Sequence, residues 1–270
     1  MGIGLGANLS KTGGSLITPG IVSDELMLRY SLDDIGNSPI SDGSVFFDGS
    51  DDYIEIIDSP DFNHIADGSS KFSVSCWFKH DTGSPANNET LVAKYDTGAN
   101  KREWRISTHT DDTISVWVSD HGSSTARSSS AYVLSDTLWH HVVFTYDGSD
   151  ATANNRAQIY VDGFKYAMTV SGTLTAELEE NDTNVTISGF TSSGTPAQSP
   201  WGGHICNVGY WSRVLTQSEI QSIMYKNYRE LANNEKTSLV SWWNLDEQIT
   251  EAYDAEATSD ADPSTISDMV

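Results

Sequence analysis

Two short loops concentrate the oxygen chemistry of this chain. FDGSDDY carries Asp48, Asp51 and Asp52, and TYDGSD carries Asp147 and Asp150; both place Asp beside Gly where a strand pattern ends. Carboxylates from one tight loop can converge on a hard cation at about 2.3–2.6 Å, the distance Ca2+ requires. Asp-Gly pairs also make tight turns with no ion, because both residues tolerate positive φ. A second chemistry is stacking. Trp201 stands between Pro200 and Gly202 in SSGTPAQSPWGG, and Tyr95 and Trp104 flank TGANKRE. Aromatic side chains held on loops can take the C–H face of a sugar, so these three are the candidate glycan contacts.

Hydrolytic chemistry would need more. A retaining glycosidase holds two carboxyls about 5–5.5 Å apart on one side of the scissile bond. Glu55 and Asp58 in YIEIID are three residues apart, which sends them to opposite faces of a strand. The acidic run ELEEND (177–182) has no β-branched neighbours and reads as a loop. With no such pair, the sequence points away from catalysis. His140 and His141 are adjacent in LWHHVVF, so one faces in and one out, and no Cys or His spacing resembles a zinc site. Cys76 and Cys206, in FSVSCWF and HICNVGYW, read as small buried thiols; a bridge between them depends on their separation.

Strands must position these residues. Short alternating runs broken by Gly, Asp, Asn and Ser fall at 26–32, 44–47, 53–57, 72–79, 91–95, 104–108, 113–119, 140–146, 157–161, 164–170, 184–187, 203–211 and 239–245. In IYVDGFKY, two of them meet at Asp162-Gly163, the dipeptide of a type I′ hairpin. One helix is expected in LTQSEIQSIMYKN. Thr216 and Glu219 form a capping box, and Ile220, Ile223 and Met224 make one apolar face. Lys226 would sit in the last turn and Asn227 would take the left-handed C-cap.

The chain has 270 residues and a formal net charge of −23. So acidic a surface favours solubility and repels phosphate backbones and anionic headgroups, which argues against nucleic acid and membrane surfaces as partners. No apolar run is long enough to span a bilayer. The first residues, MGIGLGANLSKTGG, lack the apolar core of a secretory signal, so synthesis and folding in a cytoplasm are expected. Residues 1–24 form a Gly- and Ser-rich arm, 25–245 the folded domain, and 246–270 an acidic tail. SLVSWWNLDE echoes LMLRYSLDD. The two are either first and last strands lying side by side, or the opening strand repeated for a second module.

Taken in order, SVFFDGSDDYIEI, FSVSCWFK, LVAKYD, LWHHVVFTYDG, AQIYVDGFKY and CNVGYWSRVLTQSEIQSIM resemble the concanavalin A-like lectin/glucanase superfamily, in its laminin-G-like form, over about residues 25–228. The resemblance implies an all-β fold, a two-sheet antiparallel jelly-roll sandwich with one short C-terminal helix. It implies that Trp139-His140-His141 is a structural strand. It also implies calcium at a rim, as in pentraxin-type and laminin-G modules, although no residue here matches those rim sites motif for motif. Such a fold hosts lectins, glycosidases, protein binders and structural modules alike. The first expectation is a non-catalytic surface protein of a bacteriophage virion, a capsid decoration or tail-associated module that adheres to glycans. The alternatives are a cellular carbohydrate-binding lectin, at the cell surface or outside it, and, third, a glycoside hydrolase. Other virion or assembly proteins and surface glycans are the expected partners, with homo-oligomeric assembly.

Overall fold

The computed structural model describes residues 39, 41 and 43–245, apart from 67, 86–87, 99 and 123–125. The expected arm, the strand at 26–32 and the acidic tail lie outside the described residues. So does one member of the repeated LD-ended strand.

Alternation of side chains builds two sheets whose apolar faces meet. The first has eight strands: β1 (Val45–Asp48), β16 (Gly202–Trp211), β4 (Ser69–His80), β9 (His140–Asp147), β10 (Ala157–Val161) and β11 (Phe164–Lys165) in that spatial order, with β17 (Leu239–Trp243) also on β16 and β3 (Ile65–Ala66) also on β4. The second has nine: β12 (Met168–Ser171), β8 (Ala126–Val133), β7 (Thr113–Gly122), β6 (Lys101–Thr108), β5 (Thr90–Asp96), β13 (Val185–Ile187) and β2 (Ile54–Ile56), joined by the hairpin β14 (Phe190–Ser192) and β15 (Thr195–Gln198). Pairing is antiparallel throughout except where Thr191 of β14 meets Asp96 of β5. This is the two-sheet jelly-roll sandwich that the sequence leads one to expect.

The core lies between the sheets. Phe72 is its hub, with ring centroids 5.7 Å from Trp104, 5.3 Å from Phe144 and 6.0 Å from Tyr210. Each such buried ring contributes about 1.5–3 kcal/mol relative to exposure. Cys76 and Cys206 are fully buried thiols, not bridged to each other. Burial, and after it the neighbouring Cys206, pushes the Cys76 thiol well above its ordinary range.

A second, smaller core lies on the outer side of the first sheet. The helix α1 (Gln217–Ile223) packs Ile220 and Ile223 against Val143, Tyr160, Trp211 and Trp242. Its start is as read from the sequence: Thr216 Oγ1 accepts from the Glu219 amide, and the Glu219 carboxylate accepts from the Thr216 amide. Its end differs. Asn227 is extended rather than left-handed and caps the following 3-10 turn, Tyr228–Glu230. Lys226 is drawn to Glu235, 2.6 Å away, instead of facing the helix dipole. The Asp162-Gly163 turn has φ of +52° and +77°, the left-handed pair that a type I′ hairpin requires. It docks on the helix, where Gln217 and Gln221 side-chain amides donate to the Gly163 carbonyl.

The expected strand at 164–170 is two strands, because the chain leaves the first sheet after Lys165 and joins the second at Met168. Strand β8, ARSSSAYV, was not expected: its inward positions include Ser128, which is polar yet fully buried.

Candidate functional site

Ile106, Val116, Val118 and Ala126 of β6, β7 and β8 point into the core. Alternation therefore sends Arg105, Trp117 and Arg127 to the outer face of the nine-stranded sheet. The register aligns them directly across three strands, Arg105 opposite Trp117 and Trp117 opposite Arg127. The β14–β15 hairpin adds Phe190. Asp96 holds that hairpin in place, its carboxylate accepting from the amides of Ser193 (2.8 Å) and Gly194 (3.1 Å).

Three rings surround the Arg105 guanidinium: its Cζ lies 4.5 Å from the Phe190 centroid, 4.9 Å from Trp117 and 5.0 Å from Tyr95. Arg105 is only 7% exposed. Desolvation lowers its pKa from the usual guanidinium range. Its Nε is sealed from solvent without a hydrogen-bond partner, as is Trp117 Nε1. Arg127 lies 5.6 Å from the Trp117 centroid, and its Nη1 meets His109 Nε2. The other His109 nitrogen, Nδ1, is 3.1 Å from Asp111. This arrangement assigns Nδ1–H as donor to the carboxylate and Nε2 as acceptor from Arg127. The Thr113 hydroxyl is the largest influence holding the Asp111 carboxyl down, to about 2, with His109 assisting. Such a surface offers cationic forks beside aromatic rings, the means of holding an oxyanion and an apolar ring face together.

Sequence reasoning placed the aromatic contacts elsewhere, and the structure corrects all three. Trp201 is fully buried, edge-on to Phe78 at 5.4 Å and 5.0 Å from His80, with its amide donating to Ser188 Oγ. The flanking Pro and Gly let the chain turn so that the indole enters the core. Trp104 is fully buried against Tyr210 and Phe72. Tyr95 is 5% exposed and forms one wall of the Arg105 cage. None presents a ring face to a ligand. Large rings gain most from burial, and here the core claimed the two indoles. Trp117 lies on the outer face, and its signal in the sequence was its place between Val116 and Val118, opposite in phase to two core residues.

Among the acidic loops, Asp48, Asp51 and Asp52 come together, with one oxygen of each within 4.8 Å of the others. Asp52 Oδ2 accepts from the Asp48 amide, and Asp48 Oδ1 from the Ser50 amide. The loop rests on the neighbouring strand: Gly49 has φ of +77°, and a Cβ there would lie 3.2 Å from Gly202 Cα. Three carboxylates in one tight loop are the hard donor set that suits Ca2+, so these residues fit such an ion. Asp147 and Asp150 do not join them. Asp147 pairs across from Lys71 at one end of β4, whereas the Asp48 loop adjoins Gly202 and Gly203 beside His80 at the other. There they close turns, Asp147 accepting from Ser149 and Asp150 from the Thr152 amide.

A buried charged cluster escaped the sequence reading. Lys94 and Glu103, each 1% exposed, meet inside the sandwich at 2.5 Å. Lys94 also reaches Asp58 (3.1 Å) and the Asn181 carbonyl (2.6 Å). His64 sits between Glu103 (3.4 Å) and Glu180 (3.6 Å). Lys94 is in phase with Val92 and lies opposite Trp104 and Val185, so it enters the core by alternation, whereas Glu103 lies at the bulge between Arg102 and Trp104; pattern reading missed a charged residue at each place. Glu103 is walled off, its carboxylate accepting from Lys94 and the Asn181 amide. Glu55 accepts from Asn184, and 177–182 is a loop as expected.

His140 and His141 do point to opposite faces, yet both are buried. His140 lies between Asp136 (3.0 Å) and Asp162 (2.8 Å). His141 packs under the helix, 5.4 Å from the Trp77 ring.

Sandwich, strand order and helix define a laminin-G-type jelly roll. The family model of the concanavalin A-like lectin/glucanases superfamily, Laminin_G_3, matches residues 48–221, and the chain belongs to that family. Among solved structures, a candidate carbohydrate-binding protein from Bacteroides ovatus aligns with a TM-score of 0.55 and 17% identity, covering 78% of this chain and 53% of that one. This chain thus spans about half the length of that relative. The CBM40 domain of the Ruminococcus gnavus IT-sialidase, bound to α2,3-sialyllactose, aligns with a TM-score of 0.50 and 12% identity, covering 69% of this chain and 100% of that one. At such identities the likeness is one of fold. No curated protein matches the chain.

Proposed function

We propose that the protein is a non-catalytic glycan-binding module whose ligand face is the outer side of the nine-stranded sheet around Arg105, Trp117 and Arg127. The observation that carries this reading is the Arg105 guanidinium, caged by three rings at the outer face with its Nε left without a hydrogen-bond partner. The walled-off Glu103 supports a non-catalytic role, since a residue at 1% exposure does not reach a glycosidic bond. Carbohydrate-binding domains are found on this fold, including the two relatives above. A glycan array probed with the purified chain, with and without Ca2+, tests the reading: binding that Trp117→Ala abolishes is expected, and an array without binding overturns it.

Asp48, Asp51 and Asp52 are the residues that would hold a calcium ion, which would tie the loop to the β16 edge. Ca2+ should then raise the melting temperature and a chelator reverse it, because an ion bound only by the native state stabilises by about 2.7 kcal/mol at a hundred times its Kd. We further place the module on a bacteriophage virion as a homo-oligomer, a reading supported by the arm and tail compositions of the sequence. Mass spectrometry of purified particles and light scattering of the isolated chain test it.

A further inference from the structure

We infer that the glycan this face takes is an acidic one, a sugar whose carboxylate or sulfate lodges on the Arg105–Trp117–Arg127 row. The inference rests on the glycan reading of that face and adds the ligand's charge class.

The chain carries 38 acidic against 15 basic residues, so acceptors for a cation are plentiful. Other arginines use them or use carbonyls. Arg213 forks onto Glu219 at 2.8 and 3.0 Å, and Arg156 donates to the Leu174 and Asp150 carbonyls. Arg105 does neither: no carboxylate or carbonyl among the described residues accepts from it. Arg127 has His109 as its hydrogen-bond partner, and its Nε too is sealed without one. The carboxylate nearest in the chain of contacts, Asp111, is spent on Thr113 and His109. Two guanidinium groups therefore stand two strands apart, about 10 Å between backbones at the usual strand spacing, with an indole between them.

Stacking on rings compensates a buried guanidinium in part, but it leaves the in-plane N–H donors unused. A neutral sugar hydroxyl would satisfy one donor. An oxyanion satisfies two at once, with shorter and stronger bonds, which is the fork geometry that arginine presents and lysine does not. The net charge of −23 does not prevent this. At about 0.15 M salt the Debye length is about 8 Å, so an anion on this row responds chiefly to the groups beside it.

The test is a glycan array followed by calorimetric titration, at 0.15 M salt, of matched ligands: lactose, 3′-sialyllactose and 3′-sulfolactose, plus any array hit with its uncharged counterpart. Acidic members should bind about tenfold tighter than neutral ones. Arg105→Lys and Arg127→Gln should each erase most of that preference, weakening the acidic members more than the neutral ones. Should Arg105→Lys fail to fold, Arg127→Gln, at a half-buried position, decides alone. Preference for the sialylated member identifies a carboxylate as the anion, and preference for the sulfated member a sulfate. Equal binding of acidic and neutral members overturns this inference and leaves the glycan reading standing. An array with no binding at all overturns both. Acidic preference that survives both substitutions overturns the assignment to this row.

Discussion

His140 and His141 are neighbours in the chain whose environments move their proton affinities in opposite directions. Around His140, burial disfavours the charge, but hydrogen bonds to Asp162 and then Asp136 outweigh it and the pKa rises. At His141 burial dominates and lowers the pKa to about 4. An unfolded chain binds that proton near 6.5, so between about 6.5 and 4 the unfolded state holds more protons than the native one. His141 thus contributes fully above about pH 6.5, and its contribution is lost as pH falls through that window, by about 3 kcal/mol in all. Denaturant unfolding of the wild type and His141→Gln should show their stability difference shifting by that order between pH 7 and 4; parallel profiles would sink the idea. The buried Lys94–Glu103 pair makes a second prediction. Glu103→Ala leaves Lys94 charged and enclosed, and should cost about 3–5 kcal/mol in urea melts, whereas the double change Lys94→Met, Glu103→Met should recover much of that loss. Neither site was legible beforehand. One depends on which face of β9 the helix covers, the other on a lysine at an inward strand position and a bulge at Glu103.

At the scale of elements, what was legible is what is local. The Thr216–Glu219 capping box is written within four consecutive residues, and Asp162-Gly163 within two. Thr216→Ala should therefore lower stability by about 1 kcal/mol, read as a drop of about 2–4 °C in melting temperature, with the sandwich core intact by near-UV circular dichroism. The helix end was not legible, because it is set by Glu235 drawing Lys226 away and by Asn227 starting a new turn. Strand β8 escaped notice for a related reason. Its serines carry no apolar period, yet Ser128, Ser129 and Ser130 are buried in a strand flanked by β7 and β12. Trp201 was misplaced by the opposite error: Pro and Gly beside it are residue types of loops, but Gly202 opens β16 and the ring before it is core.

For the whole molecule, the order of strand motifs was enough to read the architecture, since few chain paths bring them into two sheets with one helix outside. The motif order did not say which outward-facing residues are spent on packing and which are left for a ligand, as that depends on every neighbouring strand at once. The two thiols show what such enclosure does over time. Cys76 lies in β4, paired on one side with β16, which holds Cys206, and on the other with β9. A thiol reagent in solution meets neither sulfur until those central strands part. Labelling by an excess of an aromatic disulfide should then follow the rate of global opening, both thiols reacting in one phase that quickens with urea. Fast labelling of either thiol in native buffer would mean that the sandwich opens locally there. The protein carries its own stopwatch: two native thiols, with no engineered label, record how long it stays closed.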